Sequence, residues 1–258
     1  MNKNESNDAV KDTLNSVNSI TTLLTKLAAL ITGLSALAII SGWKKATTYY
    51  QELGAPWVTN MLSPSALFQY SAQQFFAIGI IVFLIIILIA EKSITEKSLR
   101  IYSGVCMVLA LIILSIEIIP SNWLNLSSLS MYTWIVTAAI LMSISSAFCI
   151  GILITNLSYK KLKWNDFHLF LLFIILWLGL WQSAEYTARA KANYEGNLKS
   201  SDLPLVSLVS PIAGKEWRLV TNIDSSFLVV SLSETKGDRV FRILSASDIS
   251  SIKSTRSK

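Results

Sequence analysis

The chain has 258 residues, of which 52% are hydrophobic and only 15% charged, with a mean hydropathy of +0.52. A soluble domain carries about a quarter charged residues, so an ordinary water-soluble enzyme is excluded at once. Two cysteines and one histidine leave no disulfide framework, no zinc cluster and little room for imidazole chemistry, and the formal charge of +6 reads as loops facing anionic headgroups rather than nucleic acid.

Residues 1–22 are polar, with Val10, Leu14 and Val17 at helical spacing, and predict a cytoplasmic amphipathic lead-in. A cleaved signal peptide is not expected, because the apolar run follows this polar stretch instead of a short basic start. From Leu27 to Trp43 there is no charge, and Lys26, Lys44 and Lys45 flank a first membrane span. Gly54, Ala55 and Pro56 should end that helix, and Ser63-Pro64 should cap the next, which carries the apolar run Phe75 to Ala90. After the charged connector Glu91 to Arg100, a third span runs from Ile101 to Ile119 before Pro120. A return loop, Ser121 to Ser130 with Trp123 as anchor, leads to a fourth span, Tyr132 to Ile154, and then to a basic belt of Lys160, Lys161, Lys163 and Trp164. Phe167 to Ala184 is the fifth span, and good helix formers with an i,i+4 pair at Glu185 and Arg189 extend it as a stalk to Gly196.

After Asn197 the pattern changes to short β-rich stretches. Strands are predicted near Pro204 to Val209, Trp217 to Thr221, Ser226 to Ser231, Arg239 to Leu244 and Ile249 to Ile252, with turns at Asn222 to Ser225 and Thr235 to Asp238. The expected fold is thus a five-helix transmembrane bundle over residues 23–184, a helical stalk over 185–196 and a small antiparallel β barrel or meander over 197–258. Six basic residues (Lys92, Lys97, Arg100, Lys160, Lys161 and Lys163) follow spans two and four, against Lys44 and Lys45 after spans one and three. The positive-inside rule therefore puts the amino terminus in the cytoplasm of a bacterial inner membrane and the β domain in the periplasm. Span five is the weak point: without it the β domain would be cytoplasmic.

The search for chemistry yields few candidates. His168, at the cytoplasmic mouth of span five, reads as an interfacial polar group or as a proton-sensitive one. Glu117 is the one acid within an apolar run and the possible intramembrane polar site, although Pro120 three residues on places it near the outer interface. Cys106 and Cys149 share a leaflet and read as reduced packing residues. Ala139, Ser143, Ala147 and Gly151 on span four, and Ala29 with Gly33 on span one, form small-residue faces for helix packing, with a homo-oligomeric interface as the alternative. Between spans one and two, Tyr49, Tyr50, Glu52, Trp57 and Phe68 suit either a membrane interface or a protein partner. No phosphate loop, HExxH, GxSxG or CxxC occurs, so no enzyme, cofactor or metal is expected.

The segment Gly42, Tyr49-Tyr50, Leu53-Gly54-Ala55-Pro56 and Leu62-Ser63-Pro64 between two spans, with a basic loop and a β module ending Ser247-Asp248-Ile249 to Ile252, resembles small polytopic bacterial inner-membrane proteins. Among these are the immunity partners of pore-forming toxins of type VI secretion and colicin systems. The resemblance is architectural and transfers no site residue. It implies a non-enzymatic protein that binds membrane lipid and a protein partner, either a toxin or a membrane-complex subunit. A channel or transporter subunit and an envelope sensor or assembly factor are the alternatives.

Overall fold

A computed structural model describes residues 21, 25, 32–33, 35–118, 128–158, 171, 174–210, 215–223 and 225–254. The lead-in before residue 21, Ala29, Trp123, the belt at 160–164 and His168 lie outside them. Helix α1 covers 35–53 and stops at Gly54, whose φ of 104° suits a residue without Cβ. Pro56 does not simply break the chain: it opens a 3-10 turn, Pro56–Met61, that leads into α2 (Pro64–Ala90). Ser63 caps α2 as expected, its hydroxyl accepting from Ala66 N at 3.2 Å with Pro64 in the first turn. Helices α3 (Glu96–Ile118) and α4 (Ser128–Ser158) follow. The last helix, α5, is described from 174, passes through a π-helical stretch, Leu178–Gln182, and ends as Ser183–Glu195.

Among the described residues, three helices are long and apolar enough to cross a membrane: Pro64–Ile89, Glu96–Ser115 and Tyr132–Ile154. The expectation of five spans narrows accordingly, because Leu27 to Trp43 and Phe167 to Ala184 fall partly outside the described residues. Helix α4 is the hub, packed against α2, α3 and α5. Its small residues explain why. Ala147 meets Ile78 and Val82 of α2, a Cβ on Gly151 would press into Ile85, and Ala139 is buried. Ser143 receives a hydrogen bond from Gln74 of α2. The stripe on span four therefore packs within the chain. Among the described residues nothing lies within 4 Å of a Cβ placed on Gly33, which is exposed.

The sheet comprises β1 (Leu205–Leu208), β2 (Trp217–Ile223), β3 (Ser226–Ser231), β4 (Val240–Ser245) and β5 (Ile249–Lys253), all neighbours antiparallel, in the order β4-β3-β2-β1-β5. The first four strands form a meander, but β5 pairs with β1 rather than β4. A flat five-stranded sheet would hold its edges about 19 Å apart. The four steps from Ser245 to Ile249 reach at most about 14 Å, so the sheet curls toward a barrel. A capping box between Ser245 and Asp248 fixes that corner, and a bulge at Val220 bends β2. Val206, Trp217 and Val229 fill the inside of the curl. Leu228 and Ile223 point the other way, into the helices, so the run Leu228-Val229-Val230 is buried on both faces of β3.

Close helix crossing is the steric requirement of this fold. A Cβ on Gly42 of α1 would overlap the carbonyl of Leu67 in α2, whereas one on Gly79 would meet nothing within 4 Å among the described residues. Gly42→Ala is expected to destabilise the protein by about 1–3 kcal/mol, with Gly79→Ala neutral, as measured by unfolding in lipid nanodiscs. Equal effects of the two substitutions would contradict the crossing.

Candidate functional site

The chemistry-bearing residues concentrate where the sheet meets the ends of α1 and α5. A buried core of Tyr49, Tyr50 and Leu53 from α1, Val58 from the 3-10 turn, Ala188 and Ala192 from α5, and Ile223 and Leu228 from the sheet joins the two parts. Polar contacts close it. Tyr49 Oη donates to Glu195 Oε2 at 2.6 Å, and the Tyr50 and Tyr70 hydroxyls lie 2.6 Å apart. The β3–β4 hairpin supplies the clamp: Arg239 donates to Leu53 O at 2.9 Å and to Gly196 O at 2.8 Å, bonding the terminal carbonyls of two helices with one guanidinium. These carbonyls have no partner within their own helices and carry the negative end of the helix dipole, so a planar cation with divergent donors suits them. Lys236 Nζ reaches Glu52 Oε2 at 3.2 Å, Arg189 lies 3.7 Å from the same carboxylate and 3.1 Å from Glu185, and Lys44 is 2.9 Å from Glu185. Each of these pairs is partly exposed and individually weak, so together they set register more than stability.

A second polar group lies between the helices. Gln74, about 15 Å along α2 from Pro64, donates through Nε2 to Ser143 Oγ at 3.2 Å on α4 and to Ser183 Oγ at 2.8 Å on α5, with Gly179 O at 3.1 Å. The π-helical turn explains the geometry. It displaces the carbonyls of Gly179 and Leu180 from the regular ladder, and Gln74 bonds the first while Ser41 Oγ of α1 donates to the second at 3.1 Å. Gly179 is required there, since a Cβ would overlap Ser146 Oγ. The Ser143 and Ser183 hydroxyls in turn donate to the carbonyls of Ala139 and Gly179, so the cluster is a four-helix staple. On the opposite side of α4, Ser103, Ser145 and Cys149 bond α3 to α4, with Ser103 Oγ 3.2 Å from Cys149 Sγ. Cys106 and Cys149 are both free thiols.

The five residues expected at a partner face separate into two sets. Tyr49 and Tyr50 are buried in the junction, at 4% and 0% exposure, and Glu52 is committed to Lys236 and Arg189. Trp57 and Phe68 are exposed. Glu117 lies in the last turn of α3, its side chain outside the described residues. The sequence reading missed Arg239, Glu195, Ser41 and Gln74. Gln74 had a signal, an amide ten residues inside a helix already dated from Ser63-Pro64. Arg239 had none, because its partners are main-chain oxygens more than forty residues away in sequence. Among the described residues no group of three or more His, Cys, Asp or Glu side chains is placed to hold a metal ion. Comparison with protein families, with curated proteins and with solved structures gives no match.

Glu195 makes the junction pH-dependent. Burial pushes its carboxyl above the ordinary carboxylate range, with Asp202 adding to the rise, and outweighs Lys191 and the Tyr49 hydrogen bond, which pull it down. A raised folded-state pKa contributes stability that is complete below the unfolded value and lost as pH rises through the folded one. Between about pH 4 and pH 7 the melting temperature of the wild type should therefore fall relative to that of Glu195→Gln, which keeps an acceptor for Tyr49. Parallel pH profiles for the two proteins would contradict this.

Proposed function

We propose that this is a non-enzymatic, five-span protein of a bacterial inner membrane whose outward-facing β module binds a protein partner. The α1 and α5 helices supply the first and fifth spans in this reading, and the carrying observation is how the module is mounted. Its helix-facing side, through Ile223 and Leu228, is buried against α1 and α5, and its β3–β4 hairpin is bonded to both helix ends, which ties it to the stalk at several points. Among the described residues no strand pairs with the outer sides of the edge strands β4 and β5, where Ile243 and Ile252 are exposed beside Arg242 and Lys253. A fixed sheet with free edges favours main-chain pairing with an extended partner segment, where backbone hydrogen bonds give affinity and alternate side chains give selectivity.

The most concrete form of this reading is immunity to a membrane-inserting toxin, neutralised at or just outside the outer leaflet, as the architectural resemblance implies. A channel or transporter role receives less support, because the mid-span polar groups around Gln74 bond one another. Expression in sensitive cells challenged with periplasmically delivered pore-forming toxins should raise survival against at least one. Charged substitutions on the edges, Ile243→Asp and Ile252→Asp, should abolish that protection without lowering membrane abundance. Survival that never rises, or protection indifferent to both edges, would sink the proposal.

A further inference from the structure

The 3-10 turn Pro56–Met61 has two unlike sides. Val58 and Thr59 are buried toward the junction core, at 0% and 7% exposure, while Trp57 and Met61 are exposed at 42% and 43%. Nothing charged stands in the segment from Ala55 to Gln74. In sequence the exposed pair leads directly into α2, whose outward side chains Phe68, Phe76, Ile80 and Phe83 occupy one side of the helix over more than half of its candidate span. On α1 there is a boundary: Leu37, Ile40 and Trp43 are exposed in succession, and the next residue, Lys44, opens the ion-pair network with Glu185 while lying 5.6 Å from the centre of the Trp181 ring. Along α1 the outward apolar and aromatic side chains thus end at Trp43 and charge begins at Lys44, and the Pro56–Met61 turn follows further along the chain, on the charged side of that boundary. That order of hydrocarbon, aromatic ring and charge is the profile of a membrane boundary.

We propose that the Pro56–Met61 turn lies flat in the headgroup layer and that its exposed partner is the lipid leaflet on the sheet's side of the bundle. Trp57 and Met61 insert beside Phe68, and the buried side of the turn, through Val58, holds the sheet at a fixed height above the lipid. The β module therefore sits on the membrane surface on a foot built from the α1–α2 connection. Lipid is favoured over a protein occupant because the turn runs without a charged residue into α2, a helix of membrane-spanning length whose outward side chains are apolar. A protein partner is then left to the strand edges. The proposal rests on the bundle being membrane-embedded, as in the function proposed above, and its test reports on that embedding separately.

The test uses the full chain in nanodiscs of phosphatidylethanolamine and phosphatidylglycerol, with Cys106→Ala and Cys149→Ala as background. Nitroxide labels are placed singly at Trp57→Cys, Met61→Cys, Phe83→Cys as the lipid reference and Ser247→Cys as the water reference. Oxygen and a nickel chelate report the two phases. Labels at 57 and 61 should collide with the chelate severalfold less than the label at 247, with oxygen contact between those at 247 and 83. A water-like reading at 57 and 61 overturns the proposal, and so does shielding from both quenchers, which would mean that protein covers the turn. A water-like reading at 83 would instead remove the membrane placement itself. Should a label disturb folding, quenching of tryptophan emission by brominated lipid gives a second measurement: the wild type should lose more emission than Trp57→Phe, and equal loss would overturn the foot.

Discussion

Two helices end at one guanidinium. Arg239 takes the last carbonyl of α1 and the residue after α5 in a single fork, and the side chains around it, Tyr50, Leu53, Ile223 and Leu228, are buried. A five-stranded sheet of this size is marginal on its own, because it encloses only a small core of its own around Trp217 and Val229. Docking its second face onto the helices supplies the missing burial. The physical constraint therefore runs both ways: the helix ends need a donor for their free carbonyls, and the sheet needs an apolar floor.

Within the bundle the same economy applies to polar groups. Helices surrounded by apolar surface gain little from hydrophobic contact with each other, so close approach and hydrogen bonds decide how they pair. Gly42, Gly151 and Gly179 allow the approach, each at a point where a Cβ would meet a neighbour. Gln74, Ser41, Ser71 and Ser103 supply the bonds, with Ser71 Oγ donating to Ala38 O at 2.6 Å. The π-helical turn of α5 persists because side chains from α1 and α2 satisfy the carbonyls that it frees.

Much of this was legible in the residues. Strand positions follow from alternation and turn chemistry, and β2 to β5 start or end within two residues of expectation, as the Ser63 cap and the Glu185–Arg189 pair do at their own sites. Local signals of that kind are set by neighbours in sequence. The pairing of β5 with β1 was not legible, since it depends on the reach of the Ala246–Asp248 corner. The burial of Tyr49 and Tyr50 was not legible either: aromatic residues beside a span look alike whether they face lipid, a partner or the chain's own sheet. What decided between these was Leu228, more than 170 positions away, lying in the same core.

The central claim is that the β module is fixed to the bundle through Arg239. Pulsed electron-electron dipolar spectroscopy between labels at Thr137→Cys on α4 and Lys253→Cys on β5, in the cysteine-free background and in nanodiscs, measures it directly. A single narrow distance distribution is predicted, broadening when Arg239→Ala is added. A distribution already broad with Arg239 present, or one that stays equally narrow without it, would contradict the account.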